Sequence, residues 1–133
     1  MQYICYKRFK GKTLSQDHAN IPYGTMFEAV GAFLCDNDGK PMMASTSYKC
    51  HQHFSRNDDG QGLRRGKLAY AIAFAPRGDK YRFSEEEIAM LTRDYQRFLK
   101  PTETILFNDD FFNAGIAELE ELAKKLNIRV KED

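Results

Sequence analysis

The stretch MFEAVGAFLCDNDGKPMMA, residues 26–44, decides the fold. Met26 to Cys35 supplies two short apolar runs, MFEAV and AFLC, broken at Gly31. Asp36 to Lys40 (DNDGK) then signals a hairpin, because Asp and Asn tolerate turn geometry and Gly39 accepts a positive φ. Pro41 to Ala44 is the return strand. Moving toward the start, Asn20 to Thr25 (NIPYGT) places Pro22 and Gly24 in a tight turn, since neither suits a central strand or a helix interior. Before it, Gln2 to Phe9 (QYICYKRF) is rich in Tyr, Ile and Phe, which favour a half-buried pleated surface, and reads as a strand. Several such strands in so short a span predict a small antiparallel β-barrel or curled sheet of SH3-like size.

From Ser45 onward the period changes. Ser45, Thr46 and Ser47 offer N-caps, and Cys50 and Phe54 are spaced for one face of a short helix. Asn57-Asp58-Asp59-Gly60-Gln61-Gly62 is a turn cluster, after which Leu63 to Ala75 resumes as a second helix ending before Pro76-Arg77-Gly78. Gly66 inside that helix costs about 1 kcal/mol against Ala, which points to close packing on a neighbour. Ser84 with Glu87 forms a capping box for a third helix with a stripe of Ile88, Leu91, Tyr95, Phe98 and Leu99, stopped by Pro101. A last helix has Asn113 as candidate cap and Ile116, Leu119, Leu122, Ala123 and Leu126 facing inward. The expectation is an α+β fold, the sheet followed by three to four helices. It forms a single domain over residues 1–133, with a β-rich part at 1–45 and a helical part at 46–133.

Length and charge bound the function classes. A chain of 133 residues with 42% hydrophobic and 29% charged residues suits one domain and excludes extended disorder, collagen-like repeats and disulfide scaffolds. The net charge is +1, so no global field attracts nucleic acid or anionic lipid. The halves differ: residues 1–70 carry 10 basic and 6 acidic side chains, and residues 71–133 carry 10 and 13. Three widely spaced cysteines, Cys5, Cys35 and Cys50, fit a reducing compartment better than a secreted framework. The start, MQYICYKRFKGK, lacks the apolar run of a signal peptide, and Leu68 to Pro76 falls short of the ~20 residues of a membrane span. A cytoplasmic location without membrane partners is the expectation.

Few residues carry a chemical signature. Cys50-His51-x-His53 with Asp58 and Asp59 contains zinc-ligand types, but on a helix Cys50, His51 and His53 project in divergent directions, and a second ligand pair is absent. No metal site and no cofactor are expected. Asn57 to Gly60 has adjacent rather than alternating acids and Leu68 at the twelfth position, so it is read as a cap for the following helix and not as a calcium loop. His51 or His53 with Asp58 or Asp59 could form an acid–base pair and Cys50 a nucleophile, which leaves a small hydrolase or nuclease as one alternative. A nucleophile elbow, a P-loop and a dinucleotide fingerprint are all missing. Two basic groups remain: Lys7, Arg8, Lys10 and Lys12 around Phe9, and Arg56, Arg64, Arg65 and Lys67 beside the second helix. Interleaved with aromatics they suit phosphates and bases, which makes nucleic-acid binding another alternative.

YICYKRFKGK, NIPYGT, HQHFSRNDDGQGLRRGKL and NDDFFNAGIAELEELA together resemble an uncharacterised group of small proteins encoded by phages and prophages of Gram-positive bacteria. The most specific element is FSRNDDGQGL; residues 75–106 match poorly. The resemblance implies an origin rather than a chemistry. It carries over His51, Phe54, Arg56, Asn57, Asp58, Asp59, Gly60 and Gly62 as motif positions, with Asn20, Pro22, Gly24 and Thr25. Alanine usually stands where this chain has Cys50, and tyrosine where it has His53. Tryptophans expected just before Asn108 are replaced by Ile105, Leu106 and Phe107. The reading that follows is a non-enzymatic phage or prophage accessory protein that binds a macromolecule, with a host or phage protein favoured over nucleic acid. Its candidate binding surface is His51, Arg56, Asn57, Asp58, Asp59, Arg64 and Arg65, with His51, Arg56, Asp58 and Asp59 lining a groove between the sheet and the helices.

Overall fold

Turn chemistry sets the order of the N-terminal strands. In this computed structural model, which describes residues 1–75, 83–102 and 105–130, the strands are Gln2–Cys5 (β1), Phe9–Lys12 (β2), His18–Ile21 (β3), Met26–Val30 (β4), Phe33–Cys35 (β5), Pro41–Ala44 (β6) and Phe54–Arg56 (β7). β6-β5-β4-β1-β7 form a curled antiparallel sheet, and β2-β3 form a separate ribbon. Gly31, at φ +60°, occupies the first position of the two-residue β4–β5 turn, the position that demands glycine in a II′ hairpin. In the next hairpin Asp36 Oδ1 accepts from the amides of Asp38 and Lys40, both at 2.9 Å, and Gly39 takes φ +81°. The expected turn there is present.

The α+β class follows. Among the described residues the helices are Tyr48–His51 (α1), Gly62–Ala73 (α2), Glu85–Asp94 (α3), Asp109–Phe112 (α4) and Ile116–Lys125 (α5), with a 3₁₀ turn at Gln96–Phe98. Contacts divide the chain into two compact units, Met1–Lys67 and Leu68–Asp133, the division falling within α2.

In the first unit one core lies between the sheet and the ribbon. Period-2 alternation puts Tyr3, Cys5, Phe27, Leu34, Met43 and Phe54 on the inner sheet face and Phe9 and Ile21 on the facing side of the ribbon. Phe54 meets Phe27 edge-on at 5.9 Å and Phe9 at 6.2 Å, joining the two layers. Each such side chain, fully buried, contributes about 1.5–3 kcal/mol. On the outer face, α2 begins directly over β1. A Cβ on Gly62 would lie 2.5 Å from Ile4 Cγ2, and one on Gly66 would lie 2.2 Å from the Tyr6 ring. The close packing expected at Gly66 is therefore present.

In the second unit Leu91, Tyr95, Phe98, Phe107, Phe111, Leu119, Leu122 and Leu126 are buried. Phe107 and Phe111 stack at 4.1 Å, and Phe98 meets Phe111 edge-on. The Ser84–Glu87 capping box is formed.

Several boundaries differ from expectation. The expected strand Gln2–Phe9 is two strands, because Tyr6 and Lys7 turn to donate their amides to His53 O. The helix expected through Cys50 and Phe54 is a single turn capped by Ser47, whose hydroxyl accepts from Cys50 N at 3.1 Å; Phe54 belongs to β7, so β structure extends beyond residue 45. The third helix ends at Asp94, before Tyr95 and Phe98, and Ile88 is exposed. Asn113 ends α4 rather than capping α5, whose N-cap is Gly115. Residues 76–78, read as the stop after the second helix, lie outside the described residues.

Candidate functional site

The Asn57–Gly62 loop joins β7 to α2, and its polar side chains are spent on that junction. Asn57 Oδ1 accepts from Gly62 N at 2.8 Å, so the expected capping role is performed, and Gly60 reverses the chain at φ +73°. Asp58 accepts from Gln2 N at 2.8 Å and pairs with Arg56 Nε at 2.7 Å, extending the β1–β7 ladder past its last backbone bond. The Gln2 amide, then Arg56, hold the Asp58 carboxyl below the usual carboxylate range. Asp59 accepts from Gln61 N and pairs with Arg65, which lowers its pKa as well.

Arg65 also donates to Arg56 O at 2.7 Å. That carbonyl belongs to edge strand β7, so the guanidinium satisfies an edge group that would otherwise be open to another strand. Lys49 does the same at the ribbon, donating from Nζ to Lys12 O at 2.8 Å while lying over the Phe9 ring.

The structure does not bring the candidate surface together as one site. His51 is 4% exposed and Arg65 5% exposed, so both are interior groups, contrary to expectation. The Tyr6 hydroxyl donates to His51 O, at the Tyr6 end of the β1–β7 ladder. Asp58 lies beyond the other end, beside Gln2. The carboxylates thus pair with Arg56 and Arg65 and not with a histidine. His53 Nδ1 lies 3.1 Å from Lys7 O, with its ring edge-on to Phe9. Arg56 and Asn57 are half-buried, while Asp58, Asp59 and Arg64 are exposed.

Cys5 and Cys50 are fully buried, and burial pushes the Cys5 thiol up, away from the thiolate form a nucleophile needs. Among the described residues no three His, Cys, Asp or Glu side chains are grouped to hold a metal ion, and no helix is long and apolar enough to cross a membrane.

Two open surfaces lie outside this set, the first not anticipated and the second carrying Lys10 and Lys12 of the basic group around Phe9. On the outer sheet face, beyond the part α2 covers, Met26 (51% exposed) and Val30 (65%) lie on β4 and Phe33 (42%) faces Val30 from β5. Glu28 stands between Met26 and Val30, and Gln2, Cys35 and Asp36 line a shallow depression beside them. The legible signal was in MFEAV itself: an alternating strand whose supposed solvent face is apolar at two of three positions. The second surface is the outer side of the β2–β3 ribbon, where Lys10, Lys12, His18 and Asn20 are exposed.

Comparison with protein-family models, curated proteins and solved structures yields no significant match for this chain.

Proposed function

We propose that the protein is a non-enzymatic binding module that docks a protein partner on the open outer face of β4 and β5. The carrying observation is the exposure of Val30 and Phe33 as a facing pair, with Met26 on the same face beyond Glu28, on paired strands whose opposite face is the core. Exposed apolar side chains grouped in this way mark interaction surfaces, whereas singly scattered ones do not. Glu28 within the patch pairs with the Met1 ammonium at 3.3 Å and Asp36 at its rim accepts from turn amides, so the apolar side chains define the partner's chemistry, an apolar protein surface. The engagement of Asp58 and Asp59 in arginine pairs also supports a binding role over hydrolysis, since neither of these carboxylates is available as the acid–base partner of His51. The resemblance of FSRNDDGQGL to a phage and prophage group supports an accessory protein acting on a host or phage protein.

The test is affinity capture from nuclease-treated lysate of a Gram-positive host, comparing the wild type with Val30→Asp/Phe33→Asp. A protein retained by the wild type and lost with the folded double variant is expected. Equal retention by both, or concentration-dependent self-association abolished by the same substitutions, overturns the reading.

A further inference from the structure

The β2–β3 ribbon has two chemically opposite faces. Phe9 and Ile21 are buried, and Gly11 packs on the Phe9 ring, where an added Cβ would lie 3.3 Å away. On the alternate face Lys10 stands opposite Asn20 and Lys12 opposite His18, all four exposed. The lysines are thus about 7 Å apart along one strand, with two hydrogen-bonding side chains along the other. Arg8, just before the strand, is exposed, and Lys49 brings its ammonium to the strand's edge at Lys12 O.

What separates this group from the other basic cluster is pairing. Arg56 and Arg65 are held by Asp58 and Asp59. Among the described residues no carboxylate forms an ion pair with Arg8, Lys10 or Lys12. The acid closest in sequence, Asp17 at the ribbon tip, accepts from the Ser15 hydroxyl at 3.2 Å. The chain's near-zero net charge does not cancel this patch, because charges farther than about 8 Å are largely screened at physiological salt.

We propose that the outer face of this ribbon binds duplex DNA, with Lys10, Lys12 and Arg8 on the phosphates and Asn20 and His18 toward the bases. A two-stranded ribbon is narrow enough for the major groove of B-form DNA, whereas the deep, narrow major groove of A-form RNA excludes it. Asparagine is a natural partner for an adenine edge there. The surface is independent of the protein-docking face: the ribbon packs against the inner side of the sheet, and Met26, Val30 and Phe33 lie on its outer side. Both could be occupied at once.

Fluorescence anisotropy with a labelled mixed-sequence duplex, followed through a salt titration, tests the proposal. Wild type should bind with strong salt dependence. Lys10→Gln/Lys12→Gln should weaken binding on the order of 10-fold and lower the slope of log K against log salt by about 1.8, two phosphate contacts' worth. Lys124→Gln, on the exposed side of α5, should leave both unchanged, and circular dichroism checks that each variant is folded. Absence of duplex binding, a ribbon variant indistinguishable from wild type, tighter binding to duplex RNA, or binding confined to phosphatidylserine vesicles would each overturn it.

Discussion

Gly66 illustrates how a single residue records a tertiary contact. Alanine there would gain about 1 kcal/mol of helix propensity. The new Cβ would sit 2.2 Å from Tyr6 Cδ1, and the ring cannot swing aside without giving up the bond from its hydroxyl to His51 O. Overpacking of this kind costs about 1–3 kcal/mol, so sterics win. Gly66→Ala should lower the urea midpoint without changing its slope, and an unchanged or raised midpoint would refute the close approach. Arg65 and His51 teach the opposite lesson. Both are polar residues inside a motif that looks like a surface, yet both are buried, Arg65 because its guanidinium caps the β7 edge at Arg56 O. Residue type alone could not reveal this, since burial of an arginine depends on which carbonyl and carboxylate the fold delivers to it.

At the scale of elements, the Asn57–Gly62 loop is a joint between strand and helix, and its behaviour in acid follows from that. Asp58 and Asp59 have pKa values depressed in the folded state, by the Gln2 amide with Arg56 and by Arg65 respectively. Stability from a depressed carboxyl is fully present above its unfolded value, about 4, and is lost as pH falls through the folded value. The unfolded chain takes up the protons first. Urea denaturation at neutral pH and near pH 3 should therefore show a smaller acid loss for Asp58→Asn/Asp59→Asn than for wild type. Equal losses would mean that these pairs do not couple to folding. Both carboxylates are largely exposed, so solvent screening keeps the effect modest. Capping at this scale was readable in advance for Ser84–Glu87, where both partners are local. It was misread at Asn113, because α5 starts two residues later behind Gly115.

For the molecule as a whole, three free and buried thiols report on the first unit. Cys5 and Cys50 belong to the core between sheet and ribbon, so labelling by a thiol reagent requires that core to open. Reaction in native buffer should be slow and should rise to the free-thiol rate across the urea transition. Rapid native labelling of Cys5 or Cys50 would show that ribbon and sheet separate readily. The same assay checks that the Val30 and Phe33 substitutions leave the fold intact, as expected for side chains 65% and 42% exposed.

What the sequence determined by itself is the set of features with local physical causes. The β4–β5–β6 hairpins follow from Gly31 and from Asp36 through Gly39, the capping box from Ser84 and Glu87, and the α+β class from the change of period after residue 45. Each is decided by φ preference, a hydrogen bond a few residues away, or the direction of alternate side chains. Tertiary structure alone decided the rest. It ended the helix through Cys50 at His51 and put Phe54 in a strand pairing with β1, because the sheet edge offered backbone partners that no nearby residue could supply. It also placed α2 over only part of the outer sheet face, which left Met26, Val30 and Phe33 uncovered. The exposure of one face is a property of what packs against it, and that information is non-local in the chain.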